Sequence, residues 1–330
     1  MITVIIPAYN AEKTIEMTLR ALQDQTYRGK FETIVVDDGS KDRTPEIVRG
    51  FKDVKLLQQP NAGPAKARNH GAREAKGDII IFTDSDCVPE CDFIEKMAEP
   101  FTDPTIAGVS GTYRTLNKEH LIARFEGYEI AQRHDRMARM ETIDFIGTAY
   151  AGYRRDVFLK FGGFNETFRT ASGEDPELSY RISKAGHKLV FQPTAVVAHP
   201  HVEKLKKYLR QKYYRAYWRN FMYWGGHKDK LSGDSYTSKT LFPQAVLSGL
   251  IPLLIFAGTI VGMFTVVEMV AYAAASLFVI AFLLNLDLYW FIWKREKKVA
   301  LVSPFIITLR NFVVVFGTLH GLVKFMGSRK

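Results

Sequence analysis

Apolar and polar positions along the first two hundred residues alternate between two periods. Short β-branched runs predict strands at Thr3–Ile6, Phe31–Val36, Val54–Gln58 and Asp78–Thr83. Between them, three- and four-residue spacing predicts helices at Ala11–Gln25, Thr44–Phe51 and Gly63–Ala75, the first with Ile15, Leu19 and Leu22 on one face. Strand alternating with helix is the α/β signature. The unbroken run Ile79-Ile80-Ile81-Phe82 suits a parallel sheet covered on both faces. A further apolar run, Leu189–Ala198, reads as a strand.

The pattern changes after residue 202. Across Glu203–Trp224, Leu205, Tyr208, Leu209, Tyr213, Ala216, Tyr217, Phe221 and Trp224 form an apolar helical stripe among Lys204, Lys206, Lys207, Arg210, Lys212, Arg215 and Arg219. Basic and aromatic residues together suit a helix lying on an anionic membrane, with Lys204, Lys206, Lys207 and Lys212 meeting lipid phosphates. Three long apolar stretches follow, Leu241–Met263, Met269–Trp293 and Val302–Met326. Each runs for about 22–25 residues, enough to cross a bilayer. The basic loop Lys294-Arg295-Glu296-Lys297-Lys298 places the chain before residue 241 in the cytoplasm. The opening Met1–Pro7 lacks a basic n-region and a long apolar core, and agrees with that orientation. The expected organisation is a catalytic domain at 1–202, a basic amphipathic helix and linker at 203–240, and a membrane domain with about three spans at 241–330.

Charge sharpens this division. The net charge of +10 splits into −2 over residues 1–200, +7 over 201–240 and +5 over 241–330. A nucleic-acid binder carries its basic residues on the folded domain, so the tail's excess points to lipid head groups and no nucleic-acid partner is expected. Two cysteines, Cys87 and Cys91, exclude a disulfide scaffold and cannot supply four zinc thiolates.

Candidate chemistry gathers where strands end. Asp37-Asp38 follows one strand and Asp84-Ser85-Asp86 another. Ligands of open α/β sheets bind outside the carboxyl ends of the strands, and paired carboxylates there suit a hard divalent cation.

Four segments, taken in order, carry a resemblance. Val4-Ile5-Ile6-Pro7-Ala8-Tyr9-Asn10, Val35-Val36-Asp37-Asp38-Gly39-Ser40, Asn61-Ala62-Gly63-Pro64-Ala65-Lys66-Ala67-Arg68-Asn69 and Asp84-Ser85-Asp86 resemble the family 2 glycosyltransferases of the Rossmann-like GT-A fold. Gly173-Glu174-Asp175 with Arg181 extends the likeness over about residues 1–200. It implies a nucleoside-diphosphate-sugar donor, Mg2+ or Mn2+, and inversion at the anomeric carbon. By the same resemblance, Pro7, Tyr9 and Asn10 match the loop against base and ribose, and Asp38, beside Asp37, matches the base contact. Lys66, Arg68 and Asn69 match the helix start near the diphosphate. Asp84, with Ser85 beside it, matches the ribose side and shares the metal site; Asp86 matches the direct metal ligand, and His199 completes the shell. Asp175 matches the general base and Glu174 shapes the site. Arg210, Arg215 and Arg219 lie where membrane-bound relatives grip diphosphate; Arg215 joins the donor-binding candidates, and the sequence leaves open which of the three makes the contact. The processive synthases' Gln-x-x-Arg-Trp is departed from here, because Gln211 and Arg215 are one residue out of step.

The expected acceptor is a polyprenyl- or dolichyl-linked saccharide, a polyprenyl phosphate being the alternative. A free phosphate is already ionised, so the retained Glu174-Asp175 favours a sugar hydroxyl. Rival classes are a membrane-tethered nucleotide-binding protein with a decayed site, against which the intact acids stand, and a nucleotidyltransferase, whose Gly-rich triphosphate loop Ala8-Tyr9-Asn10-Ala11 lacks.

Overall fold

The computed structural model describes residues 1–168, 173–224, 226–237 and 282–327, with positions 243, 268, 279 and 280. Two compact units emerge: Met1–Asn117 with His134–His201, and Lys118–Arg133 with Val202–Lys330. The segment Lys118–Arg133, inside the expected catalytic domain, therefore belongs with the second unit.

The first unit is built on one sheet of β1 (Ile2–Ala8), β2 (Phe31–Asp37), β3 (Val54–Gln58), β4 (Ile79–Phe82), β5 (Val88–Pro89), β6 (Ile106–Thr115), β7 (Ala151–Arg154) and β8 (Lys188–His199). Their order among the described residues is β3-β2-β1-β4-β7-β6-β8-β5. β1 is buried at every position, as a central strand covered on both faces must be. In register, Ile5 lies opposite Ile34 on one side and Phe82 on the other. The first four strands read from the sequence are mutually parallel. The all-parallel expectation ends at β7, which runs antiparallel to both β4 and β6. Its Ala-Gly-Tyr-Arg carries no β-branched run to announce a strand. At Gly152 a Cβ would stand 3.0 Å from Met97 Cε and 3.2 Å from Phe101 Cε2, so a larger residue would press on both side chains.

The helix Ile15–Gln23 buries Ile15, Leu19 and Leu22 against this core, along the expected face. It begins later than its pattern suggests. The preceding backbone is held instead by the next loop, with Ala11 N donating to Thr44 Oγ1 at 2.7 Å and Glu12 N to Asp42 Oδ2 at 3.0 Å. On the other side of β4, Phe82 packs edge-on or tilted against Tyr153, Phe158 and Phe164.

Strand order reverses between β1 and β4, so their carboxyl ends open a crevice. β8 runs in the same sense as β4, which brings His199 to that same edge of the sheet.

The second unit contains most of the helix Leu121–Met137 and the helices Leu205–Trp224, Leu286–Trp293 and Lys297–Gly327. Phe125, Tyr208, Leu288, Ile292, Val299, Ala300, Ile306 and Ile307 form its apolar core. Beside that core lies an ion cluster. Glu129 accepts from Tyr208 Oη at 2.7 Å, Lys212 Nζ at 3.0 Å and Arg310 Nη1 at 2.5 Å, and Lys212 also reaches Glu126 at 3.3 Å.

That cluster corrects one expectation. Lys212, read as meeting lipid phosphates, is buried. The buried line of Leu205–Trp224 is Tyr208, Lys212, Ala216 and Asn220, a four-residue series whose one cation is neutralised from Lys118–Arg133. The third apolar stretch lies within Lys297–Gly327, whose 31 residues are long and apolar enough to cross a membrane. Of the first two apolar stretches, positions 241–242, 244–263, 269–278 and 281 lie outside the described residues.

Candidate active site

Arg68 organises the crevice. It projects from the helix Pro64–Glu74, which starts at Pro64 after Gly63 in a left-handed conformation, φ 96°. Its Nη2 donates to Asp84 Oδ1 at 2.6 Å and its Nη1 to Glu174 Oε1 at 3.3 Å. Burial works against its charge, but Asp84 and Glu174, with Asp175, outweigh burial and hold its pKa above the ordinary value. Its Nε is buried with no hydrogen-bond partner among the described residues.

Glu174 opens the helix Glu174–Lys184 and is itself buried, with Oε2 accepting from Gly173 N at 3.1 Å. Asp175, one residue on, is half-buried. Its backbone carbonyl accepts from Ser179 Oγ at 2.8 Å, and that hydroxyl accepts from Ile146 N at 3.1 Å. The first turn is thus fixed from two sides. Arg181 holds Glu177 through two nitrogens, at 2.7 and 2.8 Å, and donates to Gly163 O and Phe161 O.

Asp86 lies within the turn that follows β4, closed by Cys87 N donating to Asp84 O at 3.1 Å. His199 Nε2 is 3.7 Å from Asp86 Oδ1, and ligand atoms of Asp86, Cys87 and His199 lie within 4.8 Å of one another. Burial raises the Asp86 pKa, and Asp84 adds to this while His199 opposes it. The Nδ1 atom of His199 is buried without a partner among the described residues. A carboxylate and an imidazole converging beside an unsatisfied nitrogen fit a divalent cation. Burial pushes the Cys87 thiol up, and Asp84 and Asp86 push it further. It remains an S–H donor toward Asp86 Oδ1, 3.8 Å away. Asp84, also read as a metal residue, stands outside this group and gives its Oδ1 to Arg68.

At the other side of the crevice, the loops after β1 and β2 are stitched together. Asn10, at φ 51°, donates through N to Ser40 Oγ at 2.9 Å and accepts from Lys41 N at 2.9 Å. Pro7 is buried within β1, while Tyr9 is half exposed beside it. Asp37 accepts from Ser40 N at 3.1 Å and Gln58 Nε2 at 3.2 Å. Asp38, expected at the base, is buried and committed to the turn ahead of Pro64. It accepts from Ala62 N at 2.9 Å, Gly63 N at 2.8 Å and Gln59 Nε2 at 2.8 Å. Through that turn it sets the helix carrying Arg68.

Lys66 is exposed at the helix start, and Ser85 is half-buried between the two acids. Asn69, expected near the diphosphate, instead closes the Gly163–Glu166 turn. Its Nδ2 donates to Phe164 O at 2.8 Å and Glu166 Oε1 at 3.0 Å, and its Oδ1 accepts from Phe164 N at 2.8 Å. Arg215 belongs to the second unit, 3.8 Å from Glu126.

One participant escaped the sequence reading. The Tyr113 ring lies 4.8 Å from the His199 ring and edge-on to Tyr150 at 4.4 Å, while His134 bridges Thr112 Oγ1 at 2.8 Å and Tyr150 Oη at 3.2 Å. Position 113 lies on β6, which was not read as a strand, so no periodicity marked it.

An open sheet with strand-end acids at its switch point defines a Rossmann-like α/β protein of the GT-A type. Residues 3–162 match the family described as Glycosyl transferase family 2. The chain is 32% identical over 219 residues to the pre-mycofactocin glycosyltransferase of Mycobacterium tuberculosis, covering 64% of this chain and 45% of that protein. It is 31% identical over 225 residues to the glycosyltransferase AglE of Haloferax volcanii, covering 63% of this chain and 71% of that one. The chain thus spans about half the length of the first of these relatives. Mannosyltransferase PcManGT from Pyrobaculum calidifontis, solved with GDP-Man and Mn2+, matches with a TM-score of 0.56 at 20% identity, over 100% of this chain and 88% of that one, which is a likeness of fold. The chain belongs to glycosyl transferase family 2.

Proposed function

We propose that this protein is an inverting, metal-dependent glycosyltransferase. It moves a sugar from a nucleoside-diphosphate sugar to a hydroxyl of a polyprenyl-diphosphate-linked saccharide at the cytoplasmic face of a membrane. The observation that carries the reading is the Arg68 bridge, which ties Asp84, at the donor side, to Glu174, next to the candidate base Asp175.

The acceptor oxygen attacks the anomeric carbon from the face opposite the diphosphate. A carbon–oxygen bond forms there as the bond to the diphosphate breaks with its electron pair, and the hydroxyl proton passes to the Asp175 carboxylate. Glu174 stays with Arg68 and fixes the helix start on which Asp175 stands. A bound Mg2+ or Mn2+, held by Asp86 and His199, would neutralise charge on the departing diphosphate. Tyr9 and the Asn10–Ser40 loop pair would receive the base and ribose, with Asp37 and Asp38 holding the loop geometry. A donor-site metal agrees with the GDP-Man and Mn2+ in PcManGT. Membrane association is supported by the Lys297–Gly327 helix and the basic tail.

The test uses the purified full chain, a panel of radiolabelled nucleoside-diphosphate sugars, Mn2+, and two acceptors, a polyprenyl phosphate and a polyprenyl-diphosphate-linked saccharide. Label is expected on the saccharide lipid. Label only on the simple lipid phosphate overturns the acceptor. Neither transfer nor donor hydrolysis across the panel overturns the enzyme reading.

A further inference from the structure

The helix Lys297–Gly327 has two unlike faces. Along one, Leu301, Phe305, Phe316, Leu319, Val323 and Met326 are 55–72% exposed, from the first turns to the last. The other packs against Leu205–Trp224, whose 20 residues can flank about two-thirds of its 31. Arg310 reaches Glu129 within the ion cluster, and Asn220 Nδ2 donates to Thr318 O at 3.0 Å. Cβ atoms at Gly317 and Gly321 would stand 2.4 Å from Tyr213 O and Tyr217 O, so only glycine lets the two backbones meet. The Phe221 and Phe325 rings close the far end at 5.7 Å.

We infer that Lys297–Gly327 lies along the surface of an anionic membrane with this exposed face in the lipid, rather than crossing the bilayer. The sequence alone makes it a third span. Its packing makes a crossing costly, because a partner aligned with it over this length would have to enter the hydrocarbon too. That partner exposes Lys206, Lys207, Arg210 and Arg215, and charged groups are strongly disfavoured at membrane depth. A flat orientation sinks only the apolar stripe and leaves those cations at the head-group level, where anionic lipid attracts them.

The approach to the helix agrees. Trp290 and Trp293 are exposed, with Lys294 Nζ 5.0 Å above the first ring and Lys297 Nζ 5.8 Å above the second. Aromatic rings paired with lysines belong at a membrane–water boundary. The helix therefore starts at that boundary, and the flat orientation keeps it there. The inference rests on the membrane-acting reading for its choice of partner and is independent of the sugar chemistry.

Spin labels at Phe305, Phe316 and Val323, introduced singly as cysteines in a Cys91→Ser background with Cys87 buried, measure depth directly. The full chain is reconstituted in vesicles of phosphatidylcholine and phosphatidylglycerol. A flat helix puts all three labels at one shallow depth within the acyl boundary. A crossing helix spreads positions 305 and 323 by roughly 27 Å along the membrane normal, at 1.5 Å per residue. That spread, or three labels in water, overturns the inference. If one variant does not fold, Leu301, Leu319 and Met326 supply the same comparison. Depth needs no turnover, so this result stands apart from any failure of the transfer assay.

Discussion

Arg68 Nη2 lies 2.6 Å from Asp84 Oδ1, which fastens the loop after β4 to a side chain that is almost wholly buried. The other terminal nitrogen holds Glu174, 106 residues further along the chain. The loop after β4 and the start of Glu174–Lys184 therefore share a single cation, and the planar guanidinium makes this possible because its nitrogens diverge in a fixed fork.

Arg68→Lys is expected to fail at this task, since one ammonium cannot serve both carboxylates. Turnover should fall by about 100-fold or more, as misplacement of reacting groups does. Arg68→Met, which takes this cation from the buried Glu174, should also cost about 3 kcal/mol of stability. Steady-state kinetics and thermal unfolding of the two variants check this. Near-normal turnover in Arg68→Lys would mean that the bridge does not set the site.

Asp175 and Glu174 should separate cleanly. Asp175→Asn removes a proton acceptor and little packing, so kcat should drop by about 10²–10⁴ with donor affinity and Tm nearly unchanged. Glu174→Gln weakens the Arg68 bridge and should lower kcat and Tm together. If Asp175→Asn kept normal kcat, the base would have to be sought elsewhere.

How much of this was legible in the sequence differs from residue to residue. β1, β2 and β4 were readable because buried parallel strands carry continuous apolar runs, and Asp84-Ser85-Asp86 was readable because it closely follows one. β7 was not, since Ala151-Gly152-Tyr153-Arg154 is shaped by the side chains of Met97 and Phe101 packing on it rather than by its own pattern. Asp38 and Asn69 carry recognisable motif positions, yet their present contacts depend on partners 24 and 95 residues away. Lys212 reads as a surface lysine until Glu126, 86 residues upstream, is brought beside it. Local pattern specifies elements; it does not specify which distant carboxylate neutralises a cation.

Asn69 offers a direct test of that difference. All its bonds to Phe164 and Glu166 are lost in Asn69→Ala, which takes these partners from the N–H and C=O of the buried Phe164. Stability should fall by about 1–3 kcal/mol, with donor KM little changed in the folded fraction. A large rise in KM without loss of Tm would restore Asn69 to the donor.

His199→Ala is expected to weaken Mn2+ binding by roughly 10-fold or more, read from the free Mn2+ signal in electron paramagnetic resonance. The raised pKa of Asp86 gives this binding a pH dependence, because the proton and the cation compete for one carboxylate. Affinity should begin to fall, as pH is lowered, above the range of an ordinary aspartate. Unchanged Mn2+ affinity in His199→Ala would remove the imidazole from the metal shell.

Glu129 supplies the last prediction. Burial alone would raise its pKa, but Lys212, then Arg310 and Arg133, outweigh burial and hold it well below the carboxylate range. A carboxylate depressed in the folded state adds stability that is fully present above its unfolded pKa, about 4.3. That stability drains away as pH falls from there toward the folded value. Glu129→Gln leaves Lys212 and Arg310 buried with one less counter-charge and should cost about 3–5 kcal/mol at pH 7. The gap to the wild type should narrow below pH 4, because only the wild type loses the Glu129 contribution there. Thermal unfolding in detergent across pH 3 to 8 tests the sign directly. A gap that widens in acid would mean that Glu129 is protonated in the native fold and that the cluster is held by neutral hydrogen bonds instead.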